Sequence, residues 1–299
     1  MKCTNCPRHC AVDRTVTQGF CQAGRQPEAA TVCVHRGEEP PLCGTKGICN
    51  IFFAHCNLQC IYCQNHQISS LQNTQNNSPS CIEGVEAIAD RVAEVLPQTE
   101  NIVGLVTPSH YADSIPALVE ALHSRGLYPT IVYNTGGYDS VETLRKLEPY
   151  VDVYLPDFKY MDSSLALRYS HAEDYPEVAL AALREMYNQK GSALPTDDRG
   201  IAYRGIIVRH LVLPGQVENS LHVLDTLADI SMNLHVALMA QYFPPYEGLP
   251  DQLGRTLTEE EYRQVTDHFY AVGLHRGWLQ ELDAQACYRP DFTRQQAFE

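Results

Sequence analysis

Cys56-Asn-Leu-Gln-Cys60-Ile-Tyr-Cys63 follows directly on an apolar run, Ile48-Cys-Asn-Ile-Phe-Phe-Ala54. The run has the length of a buried strand, and the three cysteines, at C-x3-C-x2-C spacing, fall on the loop that leaves it. Three thiolates on one short loop can hold three irons of a [4Fe–4S] cube. Such clusters normally take four Cys ligands, so this set leaves one iron open to another molecule. Zinc sites are built instead from C-x2–4-C pairs spread over two knuckles, and the nearby His66 follows no zinc spacing. Plant-type ferredoxins use C-x4-C-x2-C with a distant fourth cysteine, whereas the first gap here is three residues. Cys49, inside the strand, reads as a core thiol rather than a fourth ligand.

Further along the chain come five more runs of the same kind: 102–107, 129–133, 151–155, 205–213 and 235–240. Most are near-continuously apolar, as expected of strands covered on both faces. Amphipathic patterns separate them. Glu83–Leu96 places Val85, Ile88, Ala89, Val92 and Leu96 on one face, and 112–124, 140–147, 174–189, 220–231 and 258–272 fill the later gaps. Repeated strand–helix alternation predicts parallel strands with right-handed crossovers. An open doubly wound sheet and a (β/α) barrel both satisfy it, and both gather their chemistry at the carboxyl ends of the strands. Those ends carry Val106-Thr-Pro-Ser-His110, Asn134-Thr-Gly-Gly-Tyr138, Pro156-Asp-Phe-Lys159, Pro214-Gly215 and Gln241-Tyr-Phe-Pro-Pro245.

Composition bounds the function. The chain has 299 residues, 44% hydrophobic, with a formal net charge of -14 at pH 7. That balance argues against nucleic acid as a main partner, since phosphate binding needs a basic face. Met1-Lys-Cys-Thr-Asn-Cys-Pro7 has no apolar core of a secretory signal, and no run approaches the ~20 residues of a membrane span; the expectation is a cytoplasmic protein. Its twelve cysteines then read as metal ligands more readily than as disulfides. Four of them form a second group, Cys3, Cys6, Cys10 and Cys21, able to bind zinc, rubredoxin-type iron or a second [4Fe–4S] cluster. Cys33, Cys43, Cys49, Cys81 and Cys287 read as free thiols. Three zones result: a Cys-rich N-terminal metal-binding extension (1–47), an α/β unit (48–275) and a polar, peripheral C-terminal segment (276–299). A Gln/Asn/Ser-rich stretch at 69–78 reads as an exposed loop.

Taken together, the motifs resemble the radical S-adenosylmethionine (SAM) superfamily, and within it the pyruvate formate-lyase activating enzyme-like, or PflX-like, branch. The residues that carry the resemblance are Cys3-Thr-Asn-Cys-Pro-Arg-His-Cys10, His35-Arg-Gly-Glu-Glu-Pro40, Cys56-Asn-Leu-Gln-Cys-Ile-Tyr-Cys-Gln-Asn65, Val106-Thr-Pro-Ser-His110, Val132-Tyr-Asn-Thr-Gly-Gly-Tyr138, Tyr154-Leu-Pro-Asp-Phe-Lys-Tyr160 and Val208-Arg-His-Leu-Val-Leu-Pro-Gly215. The resemblance implies a partial (β/α)6 TIM-like barrel, a [4Fe–4S] cluster on Cys56, Cys60 and Cys63, and SAM on the open iron. One electron from a low-potential flavodoxin- or ferredoxin-type donor then cleaves SAM to methionine and a 5′-deoxyadenosyl radical, which abstracts hydrogen from a protein or small-molecule substrate. No catalytic side chain is assigned beyond the cluster.

The SAM contacts implied by the resemblance are Tyr62, Gln64, Thr107, Ser109, Asn134, Asp157, Lys159 and Gln241. Tyr62 stands where the family has an aromatic beside the adenine, or simply packs the loop. Asp157 and Lys159 match a D-L-K segment of the activases, with Phe158 in place of Leu. Asn134 replaces an Asp that helps to hold a monovalent cation, and Pro108-Ser109-His110 replaces a Gly-Gly-Glu that steadies the SAM amine, so that Thr107 and Ser109 would supply those contacts. Arg209 and His210 point at substrate or are satisfied core polar groups. The alternative from another class is a non-catalytic Fe–S or zinc-binding electron-transfer or scaffold protein.

Overall fold

Every one of the six apolar runs forms a strand within two or three residues of its expected bounds, and three further strands extend the sheet. The computed structural model describes residues 2–69, 81–286, 289–294 and 297–298. Residues 70–78 of the polar stretch, and Cys287, lie outside the described residues. The strands are β1 (Glu28–His35), β2 (Ile48–Phe53), β3 (Ile82–Glu83), β4 (Ile102–Val106), β5 (Thr130–Thr135), β6 (Val153–Pro156), β7 (Gly205–Leu211), β8 (His235–Met239) and β9 (Arg276–Leu279). They form one nine-stranded sheet in the order β3-β1-β2-β4-β5-β6-β7-β8-β9. From β2 through β4 to β9 each neighbour is parallel, while β1 runs antiparallel to both β2 and β3. The order ends on β3 and β9, leaving the barrel open.

Helices Val85–Val95, Ile115–Ser124, Val141–Leu147, Tyr175–Lys190, Val217–Ile230 and Glu259–Ala271 supply the crossovers. An additional helix, Ser163–Ser170, starts on Asp162, whose side chain accepts from the Ser164 and Leu165 N–H groups. It escapes the periodicity because it is short and half polar. The sheet also runs past both ends of the 48–275 stretch, through β1 on one side and β9 on the other.

Side chains alternate across each strand, and this divides the interior in two. One set, including Cys49, Ile51, Phe53, Val103, Leu105, Ile131, Tyr133, Ile206, Val208, Val236 and Leu238, packs beneath the helices. The other set, Ile48, Ile102, Val132, Val153, Leu155, Ile207 and Ala237, meets inside the barrel. Each such buried aliphatic contributes about 1.5–3 kcal/mol. Two residues further along these strands the inward positions turn polar or pocket-lining, and the apolar set becomes the floor beneath them.

Candidate functional site

Above that floor lies a cavity of about 460 Å³, within the roughly 300–1,000 Å³ usual for small-molecule sites. All three loop cysteines line it, as do Tyr62, Gln64, Thr107, Asn134, Asp157, Lys159 and Gln241. The loop turns out of β2 through left-handed residues at His55 (φ 69°) and Gln59 (φ 55°). Each thiol receives a hydrogen bond: the Leu58 N–H reaches Cys56 Sγ at 3.3 Å, the Ser170 hydroxyl Cys60 Sγ at 2.9 Å, and the Ser69 hydroxyl Cys63 Sγ at 3.2 Å. Burial, reinforced by the neighbouring cysteines, pushes the Cys56 thiol up to about 12 and the Cys63 thiol up to about 11. Buried thiols in this state ionise only beside a compensating cation, which a metal supplies. The donor set therefore fits an iron–sulfur group.

Tyr62 packs rather than projects. Its hydroxyl lies 2.6 Å from that of Tyr160, which in turn lies 2.8 Å from Ser170 Oγ, so a buried hydroxyl chain leads from Tyr62 to Cys60. The rings of Tyr169 and Tyr242 meet it edge-on. Gln64 and Gln241 exchange hydrogen bonds, Gln64 Nε2 to Gln241 O and Gln241 Nε2 to Gln64 Oε1, both at 3.1 Å. Gln280 extends the chain by donating to Gln241 Oε1 at 2.7 Å. These three amides join the cluster loop to the far end of the sheet.

Thr107 follows directly on β4 with φ 59°, an uncommon conformation for a β-branched residue. Asn134, at the end of β5, accepts the Thr107 N–H on its carbonyl at 2.9 Å. Lys159 Nζ donates to Asp157 Oδ2 at 2.6 Å. Burial opposes the charge on Lys159, but Asp157 and Cys60 outweigh it and hold the ammonium well above its ordinary range. Ser109 is the exception among the expected contacts. It is buried behind the wall, in a short helical turn, with its hydroxyl 3.0 Å from Thr135 Oγ1. Thr135 and Tyr133 donate to the buried carboxylate of Asp139, and Ser109 belongs to that hydroxyl network.

The alternation along β7 separates Arg209 from His210. Arg209 faces the cavity, where its guanidinium donates to both oxygens of Glu39 at 2.7 Å and also to Glu38. Asn50 Nδ2 holds the other Glu38 oxygen at 2.7 Å. Burial pushes the Glu38 carboxyl up, but Arg209, His35 and Asn50 together outweigh it and keep the group ionised below its usual range. His210 points beneath the helices, with Nδ1 donating to Phe158 O at 2.7 Å and Nε2 accepting from Ser220 Oγ at 2.9 Å. It is a satisfied core group. Tyr242 is buried with its hydroxyl on Leu253 O, whereas Asn65 lines the cavity. Trp278, Gln280, Pro290 and Phe298 complete the wall, all from the segment expected at the periphery. The aromatic content of that segment was the available signal.

No protein-family model matches the chain. Among curated proteins it is similar to uncharacterized protein MJ0674 of Methanocaldococcus jannaschii, 27% identical over 274 residues, which are 89% of this chain and 73% of that protein. Among solved structures, native anSMEcpe with bound AdoMet matches with a TM-score of 0.51 and 11% identity, over 76% of this chain and 61% of that one. A domain of pyruvate-formate lyase-activating enzyme from Bacteroides vulgatus matches with a TM-score of 0.41 and 15% identity, over 57% of this chain and 92% of that one. The fold is an open α/β barrel similar to that of anSMEcpe. On that fold the thiol loop, the amide chain and the ion groups of Lys159 and Arg209 surround one cavity. No described helix is long and apolar enough to cross a membrane.

Proposed function

We propose that this protein is a radical SAM enzyme. The observation that carries the reading is that Cys56, Cys60 and Cys63 open onto the same cavity as the polar ends of β4, β5 and β6. Cys56, Cys60 and Cys63 would hold three irons of a [4Fe–4S] cluster, and Tyr62, Gln64, Thr107, Asn134, Asp157, Lys159 and Gln241 would surround SAM. When bound, these groups supply one-electron cleavage of the sulfonium to a 5′-deoxyadenosyl radical. The chain's own residues position and shield that chemistry. Lys159 and Asp157 offer a cation and an anion to the charged ends of SAM. The apolar floor, Phe298 and Trp278 would offer the bound group surfaces that exclude water. Ser170 and Ser69 fix the sulfur positions by donating hydrogen bonds to them.

Glycyl-radical-enzyme activation, with a protein substrate and a flavodoxin- or ferredoxin-type donor in the cytoplasm, is the finer reading, supported by the motifs of the sequence alone. The test is anaerobic reconstitution with iron and sulfide, followed by SAM and dithionite. We expect 5′-deoxyadenosine from the wild type and none from Cys60→Ala. A correctly formed cluster that releases no 5′-deoxyadenosine would point to the non-catalytic scaffold reading instead.

A further inference from the structure

Four other thiols converge outside the cavity. Cys3, Cys6, Cys10 and Cys21 line one small enclosed pocket with Arg8, Val12, Arg14 and Gly19. The backbone winds around it: the Cys3 N–H donates to Val12 O at 2.8 Å and the Ala11 N–H to Cys3 O at 3.1 Å. His9, Ala11 and Gln22 take left-handed φ values of 44°, 51° and 57°, conformations that persist only where the surroundings impose them. Gly19 leaves out a Cβ that would stand 3.0 Å from Cys10 Sγ.

Donors are aimed at the sulfurs. The Phe20 N–H reaches Cys10 Sγ at 3.3 Å and Arg14 Nη2 reaches Cys21 Sγ at 3.7 Å. A neutral thiol is a weak acceptor that needs no such company, whereas thiolate sulfur does. Two guanidiniums lining the pocket of a chain with net charge -14 are the local compensation that a buried anionic centre requires.

We propose that Cys3, Cys6, Cys10 and Cys21 form a second, thiolate-bound metal centre, separate from that of the Cys56–Cys63 loop. Four thiolates are the ligand set both of a structural zinc and of an all-cysteine iron–sulfur cluster. Among the described residues no three His, Cys, Asp or Glu side chains stand close enough to ligate a single ion, so zinc would draw the thiols inward and a cluster would hold them further apart. The centre lies against the back of the cluster loop. Arg8 Nε donates to the carbonyl of Asn57, which follows Cys56 in sequence, at 2.8 Å, and Gln59 Nε2 donates to Phe20 O at 2.9 Å.

Metal content tests this without reference to SAM cleavage, so it stands or falls apart from the proposed function. The full chain carrying Cys56→Ala, Cys60→Ala and Cys63→Ala is purified anaerobically and offered either zinc or ferrous iron with sulfide. We expect it to retain about one zinc or about four irons with sulfide, and to lose them when Cys6→Ala and Cys21→Ala are added. Retention of neither metal by the folded triple variant overturns the proposal. Should that variant fail to fold, the wild type decides: one cluster's worth of iron and no zinc per chain overturns it, and a second equivalent of either supports it.

Discussion

Ser170 donates its hydroxyl to Cys60 Sγ at 2.9 Å, and a donor on a ligand sulfur favours the more negative, reduced state of a cluster. Ser170→Ala should therefore lower the reduction midpoint of the reconstituted protein. One hydrogen bond worth about 1 kcal/mol corresponds to roughly 40 mV for one electron; an unchanged midpoint by EPR-monitored titration would count against the contact. His210 makes a different prediction. Burial pulls its imidazole down to about 4 in the folded chain, against an ordinary value of 6.5. The unfolded chain takes up the proton first, so the stability from neutral His210 is complete above about pH 6.5 and lost as pH falls toward 4. Urea midpoints measured from pH 7.5 to 4.5 should drop for the wild type and drop less steeply for His210→Gln. A parallel fall in both would assign the acid sensitivity elsewhere.

Among elements, β9 is the one on which the far wall depends. Gly277 pairs with Val236 at φ 123°, and a Cβ there would sit 1.9 Å from Val236 O. Gly277→Ala should unseat β9 at a cost of about 1–3 kcal/mol and draw Trp278 and Gln280 away from the cavity. The chain has a single tryptophan, so Trp278 emission reports directly: a red shift in the variant is expected, and an unshifted spectrum would contradict the docking. The same fluorophore should change its emission saturably when SAM is added to the reconstituted wild type. β2 and β4–β8 were legible in the sequence because burial on both faces leaves continuous apolar runs. β1, β3 and β9 were not. β3 is two residues long and β9 is four, too short for a period to register, and β1 sits inside a Cys-rich stretch whose composition obscures its alternation.

Across the whole molecule, the site combines local and distant information unequally. Three cysteines within eight consecutive residues declare themselves, whereas Arg209 meets Glu39 across 170 positions. Nothing near either residue signals the other, and alternation alone says only that Arg209 and His210 face opposite ways. The ion group is buried, so removing its cation leaves two carboxylates uncompensated. Arg209→Met should cost about 3–5 kcal/mol, measured by urea denaturation at pH 7.5, while Arg209→Met combined with Glu38→Gln and Glu39→Gln should recover much of it. Equal losses in the single and triple variants would mean that packing, not charge, is what Arg209 supplies. The unclosed sheet has one more consequence. Among the described residues the sheet has two margins, and a margin is where a foreign chain can add a strand. Those margins are β3 and β9, its two shortest strands or close to it. Edges that brief offer little purchase for intermolecular pairing, so the barrel stays open without inviting aggregation.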